Sequence, residues 1–254
     1  MKKAIEKYME LIYLVNPIGQ NVAIVVKGAT CSLGEAVVDK LLSWDVDVVA
    51  TEESHFSRNA SLLEYSNSQL LDEGEGFSVS FDLSEADLII GKDLIISDLL
   101  PSRRDKWLTD DVEIWITDLL DKDSTTYQGP ERYWLCVLDA AEAIANFCRN
   151  EIRVKNMHMC GRRKWESKDS LAELKMLLTR TIQGISGRFT SDTLFGHSIA
   201  GMEAKPIVLL SEKRPDLEPL HNQLIAIGTD GWRPLIPFRT AMMNLLAGIL
   251  VENP

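Results

Sequence analysis

The sequence lacks an apolar run long enough to cross a membrane, for which about 18 consecutive apolar residues are needed. Its longest apolar runs, Val22–Val26 and Leu245–Val251, have the size of core segments. Met1–Val15 contains Glu6 and Glu10 and has neither the apolar stretch nor the small-residue cleavage site of a signal peptide. We therefore expect a cytoplasmic protein with no membrane span.

Cations are in the minority, and the residues that bind metals are scattered. The chain has 27 Lys and Arg against 38 Asp and Glu, a net charge of −11, which argues against nucleic-acid binding and against a basic membrane-binding patch. The cysteines have no CxxC spacing, which indicates reduced thiols, and the four histidines have no ligand spacing. We therefore predict no metal site. The cysteines are Cys31, Cys136, Cys148 and Cys160.

What the sequence does have is enough apolar residues, 45% of 254, for a sizeable core. In Met1–Val15 the apolar residues recur at helical spacing, and Asn16–Gly19 follows with turn residues. This segment predicts a helical extension over residues 1–19. The helix either packs on its own domain or binds a partner.

A βαβ unit follows the extension. Val22–Val26 is a β-branched run typical of a strand buried on both faces. The glycine turn Gly28–Gly34 comes next, then a predicted helix at Glu35–Trp44 and a second strand at Val46–Ala50. Glycines at such a turn let backbone N–H groups approach a pyrophosphate, and an acid about twenty residues later, here Glu52, can bind ribose hydroxyls.

The remaining chain continues the alternation of strands and helices, which indicates an α/β protein. We predict a Rossmann-type parallel sheet flanked by helices over residues 20–150, and a smaller C-terminal substrate-type lobe over 151–254 that is interleaved with the sheet. Further strands are predicted at Phe77–Phe81, Leu94–Ser97, Val112–Thr117, Tyr133–Leu138 and Val154–Met159. Further helices are predicted at Asp139–Cys148, Lys168–Leu178 and Phe238–Val251.

The turn Gly28–Gly34 (GATCSLG) resembles the GATGxxG turn of the extended short-chain dehydrogenase/reductase family, which includes nucleotide-sugar epimerases and dehydratases. Further segments resemble the family's other motifs, in the same order along the chain. They are Asp82-Leu83, Asp93–Asp98, Tyr127–Arg132, Arg132–Ala145, Asn156–Leu174 and Leu220–Pro237.

The resemblance implies a dinucleotide cofactor, NAD or NADP, and a nucleotide-sugar substrate. Glu52 or Glu53 favours NAD because a carboxylate repels a 2′-phosphate, and Arg58 weakens that preference. Arg162 and Arg163 either bind the substrate's diphosphate or are solvated. The implied cofactor-binding residues are Gly28, Thr30, Cys31, Ser32, Leu33, Gly34, Glu52, Glu53, Arg58, Asp82 and Leu83.

The family's catalytic pair, Tyr and Lys in a YxxxK motif, is missing. None of the five tyrosines is followed by lysine four residues later. Only nine residues, 118–126, separate the predicted strand Val112–Thr117 from Tyr127, too few for a crossover helix, which needs about 10–12 residues. Thr117, Tyr127 and Asp98 remain as weak catalytic candidates near the carboxyl edge of the predicted sheet.

The glycine turn also departs from the family pattern, since Cys31 replaces the middle glycine and Lys27 precedes the first. We expect a Cβ at position 31 to crowd a pyrophosphate and to disfavour a positive φ. Lys27 either pairs with phosphate or is solvated.

Three functions are compatible with these features. The leading hypothesis is a degenerate family member that acts as an accessory or binding protein. The alternatives are an active epimerase, dehydratase or reductase with non-standard catalytic residues, and a structural subunit. The last would form a homo- or hetero-oligomer through the N-terminal helix or Phe238–Val251.

Overall fold

A computed structural model describes residues 23–50, 53–122, 124–187 and 214–252. The predicted helix Met1–Val15, its turn Asn16–Gly19 and the acid Glu52 lie outside these ranges, so they stay predictions. No helix within the four ranges combines the length and the apolar character that crossing a bilayer requires.

A five-stranded parallel sheet forms the centre of the fold. Its strands pair in the order β3-β2-β1-β4-β5. The strands are β1 Ile24–Lys27, β2 Val48–Val49, β3 Leu70–Leu71, β4 Ser78–Ser80 and β5 Leu88–Ile89. Helices α1 (Ser32–Ser43) and α2 (Glu53–Tyr65) follow β1 and β2. The predicted α/β fold, a Rossmann-type parallel sheet flanked by helices, is confirmed.

Four further short strands form two parallel pairs, β6 with β9 and β7 with β8. One isolated parallel bridge between Ile90 and Leu94 connects β5 to β6. These strands are β6 Leu94–Ile96, β7 Leu99–Leu100, β8 Leu135–Cys136 and β9 Met157–Met159. The remaining helices are α3 Asp110–Lys122, α4 Val137–Arg149, α5 Ser167–Ser186, α6 Glu218–Ala226 and α7 Phe238–Glu252. α1 packs on α4, and α5 packs on α7.

The predicted strand Val112–Thr117 is wrong, because this segment lies inside helix α3. The alternation of apolar residues over these six positions imitated a strand. Over a longer stretch the buried residues, which include Val112, Trp115, Ile116 and Leu119, recur every three or four positions. Asp110, Asp111 and Glu113 in the first turn also favour the helix by their interaction with its dipole.

A helix therefore does precede Tyr127, contrary to the expectation from the sequence. The connections that lack a crossover helix lie earlier in the chain. β4 reaches β5 through residues 81–87, and β5 reaches β6 through residues 90–93, and neither connection contains a helix. Parallel strands usually need a crossover of about a dozen residues, but strands of two or three residues require only a short return path.

Candidate functional site

The glycine turn joins β1 to α1 and requires glycine at both of its ends. Gly28 has a φ of +66°, and a Cβ there would lie 2.6 Å from the Cβ of Asp82. A Cβ at Gly34 would lie 2.6 Å from the Cα of Ala29. The turn therefore brings helix α1 against the backbone of the turn, as close helix–strand packing in a dinucleotide-binding turn requires.

Cys31, between these glycines, is the N-cap of α1. Its φ of −90° is ordinary extended backbone, so the expected conflict with a positive φ is wrong. The Cys31 sulfur accepts a hydrogen bond from the Gly34 amide at 3.4 Å and another from the Trp107 indole N–H at 3.3 Å. The cysteine thus takes the capping role that is more often filled by Ser, Thr or Asp.

A loop that we call the strap, residues 101–109, covers this turn. Asp105 Oδ2 accepts a hydrogen bond from the backbone amide of Ser32, the first residue of α1, at 2.6 Å. Arg103 donates to both carboxylate oxygens of Glu35 and, at 2.7 Å, to the carbonyl of Thr30. The strap is therefore bonded to the turn and to the first turn of the helix.

Two more strap residues complete the cover. Trp107 donates to Cys31, and Lys106 donates from its ammonium group to the carbonyl of Phe81 beyond β4. In Rossmann-type proteins the first amides of this helix bind the pyrophosphate of the cofactor. Here the amide of Ser32 already donates to a carboxylate of the chain itself. In this arrangement the turn does not fit a dinucleotide.

The other predicted cofactor-binding residues are dispersed. Thr30 is exposed, whereas Leu33 is fully buried in the core. Arg58 forms ion pairs with Asp39 and Glu35 of α1, so its charge is directed along the α1–α2 contact. Glu53 begins α2. Lys27, left open between phosphate and solvent, donates to the carbonyl of Glu85 at 2.6 Å.

Asp82 and Leu83 lie at the end of β4, on the side of β1 opposite to β2. Hydrogen bonds from Ser84, and one from the Ser80 hydroxyl, lower the pKa of Asp82 to about 2. Leu83 is exposed, with a φ of +66°. Asp72 directly follows β3 (Leu70–Leu71) and was not predicted as a site residue.

Asp98 belongs to a buried ion-pair network. Its carboxylate accepts from Arg132 at 3.0 Å and from the backbone amide of Tyr133 at 2.7 Å. Arg132 also donates to both oxygens of Asp111, which is 1% exposed. The network connects the residue before β7, the start of α3 and the segment before β8, so Asp98 holds these elements together.

Thr117 and Tyr127 are not brought together with Asp98 in any shared contact. Thr117 is exposed on α3, and its nearest hydrogen-bond partner is Glu113 of the same helix, at 3.5 Å. Tyr127 is 39% exposed, and among the described residues its backbone makes hydrogen bonds to Thr125 and Trp115. Within the described ranges no hydrogen bond joins a lysine to either hydroxyl.

Arg162 and Arg163 line a cleft of about 460 Å³, which extends to the loop Pro234–Pro237 and the start of α7. The Arg163 guanidinium lies 4.6 Å from the ring centroid of Trp165, and the Trp165 ring lies 4.4 Å from that of Phe238. Both arginines are exposed. The cleft therefore combines cationic forks with aromatic faces.

Asp139, at the start of α4, fixes one wall of this cleft. Its two oxygens accept hydrogen bonds from the backbone amides of Leu235 and Ile236, at 3.0 and 3.1 Å. Burial raises the pKa of Asp139 despite these bonds. A smaller neighbouring cavity of about 320 Å³ shares Asp139, Pro234 and Leu235 with the cleft.

The residue types that bind metals, and the thiols, form no further candidate site among the described residues. Among the described residues, no three His, Cys, Asp or Glu side chains are grouped as a metal site would require. All four cysteines are buried free thiols. Burial raises the pKa of Cys136, Cys148 and Cys160, which makes them poor nucleophiles.

No protein-family model matches the chain, and no curated protein sequence matches it. Among solved structures, the chain is similar to the dTDP-glucose 4,6-dehydratase from Bacillus anthracis str. Ames in complex with NAD. That match has 10% identity and a TM-score of 0.50, and covers 91% of this chain and 97% of the dehydratase. It shows a shared fold.

Two further structures match with lower TM-scores. A UDP-galactose 4-epimerase matches at 13% identity with a TM-score of 0.49, covering 92% of this chain and 100% of that chain. A reductase domain of the aureusimine biosynthetic cluster matches at 11% identity with a TM-score of 0.45, covering 95% of each chain.

Proposed function

We propose that the protein is a catalytically inactive binding protein of the extended short-chain dehydrogenase/reductase type, with a nucleotide-sugar as its ligand. The observation that carries the proposal is the missing acid–base pair. No tyrosine in the sequence has a lysine four positions later, and the hydroxyls of Thr117 and Tyr127 lie exposed on separate elements. Without a positioned acid or base, proton transfer to a sugar hydroxyl has no catalyst.

The choice of ligand is supported by the chemistry of the cleft. Arginine forks bind diphosphates through paired hydrogen bonds, and aromatic faces pack against flat rings. Arg162, Arg163 and Trp165 supply both kinds of group at one cleft. The dehydratase that shares this fold is named for a nucleotide-sugar, dTDP-glucose.

A nicotinamide cofactor has no part in this proposal. The turn that would hold its pyrophosphate donates instead to Asp105, so the function proposed is binding without hydride transfer. An accessory role in sugar-nucleotide metabolism follows from such binding.

Calorimetric titration with UDP-glucose and dTDP-glucose, each without added dinucleotide, tests the proposal. We expect saturable binding and no turnover. Arg163→Ala should weaken binding about tenfold, because it removes a charge-assisted contact with the diphosphate. Arg180→Ala, which removes an arginine that does not line the cleft, is the matched control and should leave the affinity unchanged.

Turnover of either sugar nucleotide with added NAD⁺ would contradict the inactive assignment. Absence of binding to both ligands, or equal losses in the two arginine variants, would contradict the assignment of the cleft.

A further inference from the structure

A second inference concerns the glycine turn and is independent of the ligand in the cleft. We propose that the strap is a built-in occupant of the turn's phosphate position, which closes the Rossmann turn of this chain to dinucleotides. The Asp105 carboxylate lies where the anion of a cofactor would lie, and the strap residues around it hold it there.

Occupancy is supported first by the bond to the helix. Asp105 Oδ2 lies 2.6 Å from the Ser32 nitrogen, the distance of a charge-assisted hydrogen bond. The amide is the first of α1, where the helix dipole favours a negative charge. The other oxygen, Oδ1, accepts from the Trp107 amide at 2.9 Å, which fixes the orientation of the carboxylate.

The strap is also held at separate points around the turn. Arg103 reaches the carbonyl of Thr30 and the buried carboxylate of Glu35, and Trp107 reaches the sulfur of Cys31. A dinucleotide would have to displace the carboxylate and also move the Trp107 ring from Cys31. Because several contacts must break together, the strap competes more strongly than a single side chain would.

The side chain of Ser32 is buried beside the same amide. Ser32 is 2% exposed, and its oxygen has no hydrogen-bond partner among the described residues. An anion that replaced Asp105 would meet the Ser32 amide that Asp105 now occupies. The closed turn is therefore an anion site that the chain fills itself.

Calorimetric titration with NAD⁺, NADH, NADP⁺, NADPH and inorganic pyrophosphate tests the proposal. The titrations are made in the Arg163→Ala background, in which the diphosphate site of the cleft is weakened, so that binding reports on the turn. In that background the chain that keeps Asp105 should show no saturable binding of the five, and the added change Asp105→Ala should raise the affinity for pyrophosphate at least about tenfold, because the competing charge-assisted bond is gone. Hydrogen exchange adds a direct readout, since the Ser32 amide should exchange faster in Asp105→Ala and slow again when pyrophosphate is present.

Two further variants separate occupancy from charge. Asp121→Asn removes the same charge from an exposed site on α3 and should leave pyrophosphate binding unchanged. Asp105→Asn keeps an oxygen for the Ser32 amide, so its turn should also remain closed to pyrophosphate. Pyrophosphate binding by Asp105→Asn as tight as that by Asp105→Ala would assign closure to charge alone and overturn the proposal.

The titration of the chain that keeps Asp105 remains a test even if Asp105→Ala does not fold. Saturable binding of any of the four dinucleotides to that chain in the Arg163→Ala background, with competition by pyrophosphate, overturns the proposal. Silence of a folded Asp105→Ala chain overturns it as well, because another feature would then close the turn.

Discussion

The two halves of the parallel β-structure, β1 to β3 and β4 to β6, connect their strands in different ways. From β1 to β3 the return paths are the helices α1 and α2. From β4 to β6 they are short loops with no helix. The first half therefore depends on apolar packing, since α1 buries nearly its whole length and packs on α4. The second half has no such helix to bury.

Carboxylates hold the loops of the second half. Asp87 Oδ2 accepts from both the amide and the hydroxyl of Ser78, and the Asp87 amide donates back to that hydroxyl. Asp93 accepts from the Ile89 amide at 2.9 Å across the β5–β6 connection. Polar side chains thus hold the β4–β5 and β5–β6 connections, which lack crossover helices. The stability of the first half should therefore depend on side-chain volume, and the stability of the second on the protonation of its carboxylates.

The largest effect is expected in the helix-connected half, for Leu41→Ala. Leu41 is fully buried on α1, so the substitution should lower the free energy of unfolding by about 2–5 kcal/mol through lost burial and a residual cavity. Urea unfolding followed by circular dichroism measures it. Leu120→Ala on the exposed face of α3 is the control. Equal losses in the two variants would remove the distinction between packed and exposed positions.

A smaller loss is expected for Gly34→Ala in the same half. The new Cβ would meet backbone atoms of Ala29, which cannot turn away as a side chain does. Overpacking of this kind should cost about 1–3 kcal/mol, partly offset by alanine's better helix propensity. Thermal denaturation with a reference scan of the wild type measures the loss. A stabilised variant would show that α1 does not lie against the turn.

In the loop-connected half, Asp87→Asn should lower the free energy of unfolding by about 1 kcal/mol at pH 7. The loss is no larger because solvent screens this partly exposed carboxylate. Bonds from Arg153 and Ser78 lower the pKa of Asp87 to about 2, below its ordinary 3.8. The stabilisation is therefore fully present above the ordinary value and is lost as the pH falls toward 2.

Urea unfolding at pH 7 and at pH 2.5 measures this dependence, where the lower pH is about half a unit above the folded pKa. The difference between wild type and variant should shrink at the lower pH. A difference that stays constant or grows on acidification would contradict the role of the carboxylate.

The smallest effect is expected for Thr117→Val. Thr117 is exposed and makes one long contact with Glu113, so the free energy of unfolding should change by about 0.5 kcal/mol or less. Binding of UDP-glucose should be unchanged as well. A loss of binding with stability retained would return Thr117 to the list of functional residues.

The difference between the halves also explains which elements the sequence could predict. The strand at Val22–Val26, the helix at Glu35–Trp44 and the helix at Phe238–Val251 are confirmed within three residues of their bounds. In these segments local periodicity and burial agree. Strands β3, β5 and β7, of two residues each, were missed.

The candidate site was only partly predictable for a related reason. The glycine turn has a local signature, and it was found. The strap has none, because Asp105 and Trp107 meet Ser32 and Cys31 across more than seventy positions of sequence. Arg132 was likewise predicted only as part of a motif. Its ion pairs with Asp98 and Asp111 depend on the tertiary fold. Long-range polar pairs of this type leave no pattern in neighbouring residues.

The pairing of β6 with β9 has a consequence for the order in which the chain is made. β1 to β5 leave the ribosome in succession, and each of β2 to β5 pairs with a strand made before it. Leu94–Ile96 must wait for Met157–Met159 before one of its edges is covered. In the nascent chain that edge is open to pairing with another molecule, so slow translation between these two segments should favour aggregation.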